Sequence, residues 1–504
     1  LNTPEGIWFG DPDACFHMRR VFLLLARGEL PEFDAWSDFP QGCVPYVAPL
    51  LDWIVYALCR LGGLTELDEA SVGRVAAVVP AALGALTLLP VYGIARRLFG
   101  QGAGLGAAAA LAVLPGHVLY TRYGMVDHHV LESLFLATLA WLARASPRRG
   151  AGDAGPAADV ADPAVGGWRA VGGWRAIGGW RADAPRILGG AACLLGLTLS
   201  WNGFALYLIV FAGVSALAPW RSADASPARA PRYALVTLLV YLPLLAFVVL
   251  RGYWFRHGEV RYDAPSLFHL VVTGACAAWC AAAVEVHRRF ARDPADPGPS
   301  SPPWLHGRPW RRVACVLAVG AALAGACWAL PGPVGDAFRA MFGFSGISVN
   351  RFNLEGRPIW TYTQWIFDHL SGISFLLPLA AFSLCAMAED HDLDGEGVWS
   401  LAGWALAFFI LTVWMTRFTY AYAPFLAAVI GGVGWACGQA WGALSPAVAR
   451  LLGSGEPSLT PSDPFDSRIF RRLLDGPAQT LSFVRANLGG APARAAVGLL
   501  VGFF

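Results

Sequence analysis

The stretch ILGGAACLLGLTLSWNGFALYLIVFAGVSAL, Ile187–Leu217, decides how this chain is threaded. It carries no charged side chain. As one helix it would reach about 46 Å at about 1.5 Å per residue, well beyond a hydrocarbon core of about 30 Å. Trp201, Asn202 and Gly203 interrupt it near the middle, so it reads as two short helices that return the chain to the side it left. The basic residues support this reading. Every one of them is Arg, and they cluster at Arg96–Arg97, Arg144–Arg186, Arg221–Arg232, Arg288–Arg312 and Arg450–Arg485. Two passes through 187–217 put all these clusters on one side, which the positive-inside rule makes cytoplasmic. A single pass would split 221–232 from 288–312.

Working outward, apolar runs long enough for a span lie near 74–95, 104–119, 129–143, 233–250, 266–286, 313–330, 371–388, 399–415 and 419–441, and a truncated one begins near Ala493. The composition agrees: 56% hydrophobic and 14% charged, against about 25% charged in a soluble domain. The expected class is all-α, a polytopic membrane protein. Its segments are an outer loop 1–73, membrane helices 74–330 with a cytoplasmic insertion 144–186, an outer loop 331–370, membrane helices 371–441, a cytoplasmic loop 442–492 and the partial span 493–504. Within the insertion, [Val/Ile]-Gly-Gly-Trp-Arg-Ala occurs three times from Val165 to Ala182, which reads as a flexible duplicated insertion. Most of the ten Cys lie in apolar runs as small core residues; Cys15 and Cys43, in a polar segment, leave a disulfide open.

This threading places four polar clusters on the extracytoplasmic face. They are Asp11-Pro-Asp13 with His17 and Arg19, Asp127-His-His129 with Glu132, Glu355-Gly-Arg-Pro358, and Arg417 at the head of a helix. Singly, each has a plain explanation. Asp13 reads as a helix cap, Asp127 and His129 as a polar helix entry, and Glu355 as a solvated loop charge. A carboxylate and an imidazole two residues apart are also a natural pair of metal ligands. An Arg between two apolar helices is costly and tends to mark function. His17, His117 and His128 read as structural.

The residues Asp13-Ala-Cys-Phe-His-Met-Arg19, Asp34, Asp38-Phe-Pro-Gln-Gly42, Asp127-His-His129 with Glu132, and Arg417-Phe-Thr-Tyr420 with Pro424 resemble, in order and spacing, the catalytic subunit of oligosaccharyltransferases, its archaeal branch most. The resemblance implies a GT-C type glycosyltransferase transmembrane domain of about thirteen helices. One helix would precede Leu1, and an extracytoplasmic globular domain with a Trp-Trp-Asp motif would follow Phe504. It implies an integral protein of the cell membrane, active on the extracytoplasmic side. The implied reaction is transfer of an oligosaccharide from a polyprenyl-(di)phosphate carrier to the asparagine amide of an Asn-x-Ser/Thr acceptor. Asp13 and Glu355 would be catalytic, engaging the amide. Asp13, Asp127 and His129 would hold a divalent metal, Mn²⁺ or Mg²⁺, and Arg417 would grip the lipid diphosphate. The Phe352-Asn353-Leu354 lead into Glu355 departs from the family's usual Thr/Ser-Ile/Val pattern. His369 stands where some bacterial members carry an Arg that reads an acidic residue ahead of the asparagine, implying that the short acceptor suffices here. Membrane lipid is an expected partner; nucleic acid is not. Two competing readings are another GT-C transferase, of protein O-mannosyltransferase type, and a transporter of lipid-linked glycan. The first should present adjacent acids, which Pro12 separates here. The second should bury charge at the bilayer midplane, where these spans carry almost none.

Overall fold

A computed structural model describes residues 2–3, 6–7, 9, 11–37, 39–45, 48–143, 180–219, 229–290, 309–342, 377–391 and 393–451 of the 504. Glu355, His369, the repeat up to Gly179 and the partial span from Ala493 lie outside these residues. The protein is all-α and polytopic, apart from a two-residue antiparallel ladder pairing Asn2–Thr3 with Gly6–Ile7. Among the described residues six helices are long and apolar enough to cross a membrane, and a bent pair would make a seventh.

The chain divides into two compact units, Leu1–Pro90 with Tyr120–Leu354 and Val91–Leu119 with Glu355–Phe504. In the first unit the segment before the first span is built rather than loose. Helix α1, Pro12–Arg27, starts with Asp11 as its cap, accepting the Asp13 N–H at 2.8 Å, with Pro12 as its first residue. It stops at Gly28, whose φ of 78° only glycine adopts readily. Ala14, Met18, Val21 and Leu25 recur at helical spacing on its inner face. They pack with Leu51, Val55 and Cys59 of α2, Leu50–Leu61, and with Val72, Ala76 and Val79 of α3, Glu69–Phe99. Val126, Val130 and Leu131 join the same core, which fixes the entry to α6, His129–Ala143, against α1.

The interruption at Trp201 is real. Helix α7, Trp180–Ser200, ends there, a 3₁₀ turn Asn202–Phe204 follows, and α8, Ala205–Leu217, resumes. Helix α7 begins seven residues before the apolar stretch, inside the third repeat copy, and runs through Pro185. The reason is Arg186: its guanidinium donates to the Leu142 carbonyl at 2.9 Å, while its own carbonyl accepts from the Tyr233 hydroxyl at 3.1 Å. That ties the helix start to the end of α6 and to α9, Arg229–Arg251. Helix α11, Leu267–Phe290, packs on α8, α9 and α12, Pro309–Ala329. Two short helices, α10 at Tyr253–Arg256 and α13 at Pro333–Phe342, occupy segments expected as loops.

In the second unit α4, Gln101–Val113, is bent by 60° from α5, Pro115–Thr121, where Pro115 cannot continue the hydrogen-bond ladder. Helix α4 packs on α16, Thr419–Leu451, which follows α14, Leu377–Asp390, and α15, Gly395–Trp414. The rings of Trp404, Phe408 and Phe425 stack within 8° of parallel where α15 meets α16.

Candidate active site and metal cluster

Asp127 is the last acidic residue before α6, held in the turn Arg122–His128 by its N–H bond to the Met125 carbonyl. It is buried with His129 and Glu132. Its carboxylate lies 2.8 Å from His128 Nδ1 and 3.4 Å from His129 Nε2. The other His129 nitrogen, Nδ1, lies 2.9 Å from Glu132 Oε1, and the second Glu132 oxygen accepts from the Tyr207 hydroxyl of α8. Burial alone would raise the Asp127 pKa; His129 and then His128 overcome it and hold the carboxyl below its ordinary range.

Asp13 stands in the first turn of α1, exposed at its own surface but close enough to this cluster to feel its charge. Partial burial, and next the negative Asp127, raise its pKa, with His128 and His129 working the other way. The capping reading of Asp13 does not hold, because Asp11 is the cap. His17, one turn on from Asp13, is buried and points to the same place: its Nε2 is 3.4 Å from His128 Nδ1. Its Nδ1 is 2.6 Å from the buried Asp52.

Two groups of potential ligands result, His17 with Asp127 and His128, and His128 with His129 and Glu132, each with its donor atoms within 4.8 Å of one another. Imidazole nitrogens beside carboxylate oxygens, buried and with fixed partners, suit a divalent cation, and the nitrogens favour a transition metal over Mg²⁺. Nearby, Arg19 forms an ion pair with buried Asp34, which also accepts from the Trp36 N–H and the Ser37 hydroxyl. Burial raises the Asp34 pKa, but Arg19 and those two donors outweigh it and the net direction is down. Arg417 lies in the 3₁₀ turn Thr416–Phe418 of the second unit. Cys15 and Cys43 are not joined in a disulfide.

The sequence of this site region matches the family model for oligosaccharyl transferase STT3, N-terminal, over residues 7–220. The relatives are archaeal. The dolichyl-monophosphooligosaccharide–protein glycotransferase AglB of Haloferax volcanii is 33% identical over 134 residues, 26% of this chain and 13% of the relative. The archaeal oligosaccharyltransferase AglB from Archaeoglobus fulgidus, solved with an inhibitory peptide and a dolichol-phosphate, superposes with a TM-score of 0.64 at 17% identity. That match covers 98% of this chain and 53% of that one. An Archaeoglobus fulgidus oligosaccharyltransferase solved with Zn and sulfate gives a TM-score of 0.57 at 17% identity, covering 90% of this chain and 49% of that one. The chain thus spans about half the length of the solved STT3-type chains it matches, and its fold is their GT-C membrane fold.

Of the STT3-type residues expected here, the structure brings Asp127 and His129 together and sets Asp13 within electrostatic reach. His17 and His128, expected to be structural, both turn ring nitrogens toward this cluster. Helical spacing carried the signal: His17 is four residues after Asp13 and Glu132 three after His129, so each pair shares a helix face. Asp52 and Tyr207 gave none, being 35 and 75 residues from the groups they touch.

Proposed function

We propose that the protein containing this chain transfers an oligosaccharide from a polyprenyl-(di)phosphate lipid to the side-chain amide of asparagine in an Asn-x-Ser/Thr acceptor. The observation that carries this is the buried cluster of Asp127, His128, His129 and Glu132 beside Asp13, at the end of membrane helices within the STT3-matched residues. An amide nitrogen is a poor nucleophile because its lone pair is delocalised, the resonance that gives a peptide bond its barrier of about 18–20 kcal/mol. Asp13 and Glu355 each accept one amide N–H and so localise that lone pair. Asp13 must be ionised to do so. Asp127, His129 and Asp13 hold a divalent ion, Mn²⁺ or Mg²⁺. When bound, this ion supplies Lewis-acid neutralisation of the departing phosphate. Arg417, planar and always charged, is the residue assigned to grip the lipid diphosphate. His369 contributes to the acceptor side without imposing an acidic residue there.

The site is assigned to the extracytoplasmic face of the cell membrane, on the Arg distribution. Names of related proteins support the partners: one is solved with a dolichol-phosphate and a peptide, another with Zn and sulfate. The test incubates the full-length protein in detergent with a polyprenyl-diphosphate oligosaccharide, Mn²⁺ and an Asn-x-Thr peptide. The expected product is the peptide plus the glycan mass. A Gln-x-Thr peptide should gain nothing. Absence of product with the asparagine peptide, at any divalent metal, would overturn the assignment.

A further inference from the structure

We propose that His17 is a metal ligand of this cluster and that Asp52, clamped by Arg20, is the positioning residue that aims it. This rests on the reading that the cluster binds a divalent metal.

The argument begins with the cost of Asp52. Its carboxylate is fully buried, and a lone buried anion would be expelled or neutralised. One oxygen is instead hydrogen-bonded with His17 Nδ1 at 2.6 Å, and the other is charge-compensated by Arg20, whose Nε lies 3.1 Å away in an ion pair. A carboxylate facing a guanidinium only accepts hydrogen bonds, so Nδ1 of His17 must carry the proton. With Nδ1 committed to Asp52, Nε2 is the nitrogen left to meet a cation, and it points the opposite way. That direction is the cluster: Nε2 is 3.4 Å from His128 Nδ1, and both lie with an Asp127 oxygen inside 4.8 Å.

A brace that served folding alone would need the carboxylate and the guanidinium, but not a second imidazole nitrogen turned toward another imidazole. His128 Nδ1 also faces an Asp127 oxygen at 2.8 Å, so a single proton on it cannot serve both that oxygen and His17 Nε2. A cation satisfies all three atoms at once. Carboxylate–imidazole–metal is the usual way in which a protein fixes the tautomer and rotation of a histidine ligand. Helix α1 makes the device possible, since His17 and Arg20 are three residues apart and both reach Asp52 on α2.

The test uses full-length protein stripped with a chelator and titrated with Mn²⁺ alone, read by calorimetry and by the ¹⁴N modulation that bound imidazoles impose on the Mn²⁺ spin echo. His17→Ala should weaken binding by about tenfold or more and remove one imidazole coupling. His17→Asn, which keeps a donor for Asp52 but has no Nε2, should do the same while preserving the melting temperature. Asp52→Asn should weaken binding by about 10–100-fold, the range for groups that orient a ligand. It should add nothing in a His17→Ala background, because it acts through His17. Wild-type affinity and an unchanged ¹⁴N signal in His17→Asn would overturn the proposal, as would an undiminished Asp52→Asn effect when His17 is already gone. Failure of the wild type to bind Mn²⁺ would also overturn it. The outcomes separate from those of the transfer assay. Peptide that stays unglycosylated alongside the expected Mn²⁺ pattern removes the proposed reaction and leaves this ligand set standing.

Discussion

His129 Nδ1 sits 2.9 Å from Glu132 Oε1, one helical turn further along α6, while its Nε2 faces Asp127 at 3.4 Å. The imidazole is thus held between two buried carboxylates, and Tyr207 from α8 fixes the far oxygen of Glu132. Glu132→Ala should weaken Mn²⁺ binding by about 10–100-fold, since the ring loses the group that orients it. Tyr207→Phe, which leaves the carboxylate in place, should cost less than about tenfold. The check is the Mn²⁺ dependence of binding and of glycan transfer in the two variants. Equal effects from both would mean that Glu132 matters only through Tyr207.

Asp11 and Asp13 are two residues apart and do opposite things. Asp11 caps α1, so Asp11→Ala should lower stability by about 1 kcal/mol and leave residual transfer. Asp13 carries a raised pKa, caused by burial and then by Asp127. For an acid, that sign means the fold penalises the ionised form. The deficit is present in full above the folded pKa and vanishes as the pH falls below the ordinary value of 3.8. At neutral pH in chelated protein, Asp13→Asn should therefore raise the melting temperature while abolishing transfer. A fall in melting temperature would show that Asp13 has a structural partner after all.

Asp34 organises the turn that presents Trp36 and Phe39, stacked at 5.8 Å and largely exposed. Its carboxylate serves Arg19, the Trp36 N–H and the Ser37 hydroxyl at once. Asp34→Ala should free the turn and raise the rate of chymotryptic cleavage around Phe33 and Trp36 by about tenfold or more. Because its folded pKa is depressed, the ordering is complete above the ordinary carboxylate range and is lost only as the pH drops through the lowered value. Wild-type protein should be as resistant at pH 5 as at pH 7. A loss of protection at pH 5 would contradict the depressed value.

What the sequence made legible follows from what each feature depends on. The break at Trp201 was readable because span length is a local property set against a fixed bilayer thickness, and α7 and α8 meet there. Asp127 and His129 were readable because their spacing is short and their chemistry unusual at a membrane surface. The site partners Asp52 and Tyr207 were not, because nothing local distinguishes a buried carboxylate or phenol that will find its partner on another helix. Helices α1 and α2 were hidden in a segment read as a loop. Their apolar faces, Ala14-Met18-Val21-Leu25 and Leu51-Val55-Cys59, are too narrow to register as spans, yet they form the core that carries His17 to the cluster.

The last prediction tests packing in the second unit, where α4 meets α16. A β-carbon built at Gly431 would stand 2.4 Å from the Ala103 carbonyl oxygen and 2.9 Å from the Ala107 β-carbon. Both are contacts that no side chain can relieve by changing rotamer, since one partner is backbone and the other is the first atom of its side chain. Gly431→Ala must therefore move one helix from the other, and overpacking of that kind costs about 1–3 kcal/mol. Gly434, one turn further along the same helix, meets nothing within 4 Å. There an added methyl only removes backbone freedom from the unfolded chain, a gain of up to about 1 kcal/mol on the helix-propensity scale. The pair of variants thus makes one chemical change at two neighbouring positions with opposite expected signs. Melting in detergent, followed by the fraction that stays monodisperse after heating, reads both. If Gly431→Ala proved as stable as Gly434→Ala, α4 and α16 could not approach as closely as described, and the glycine would be there for some reason other than helix contact.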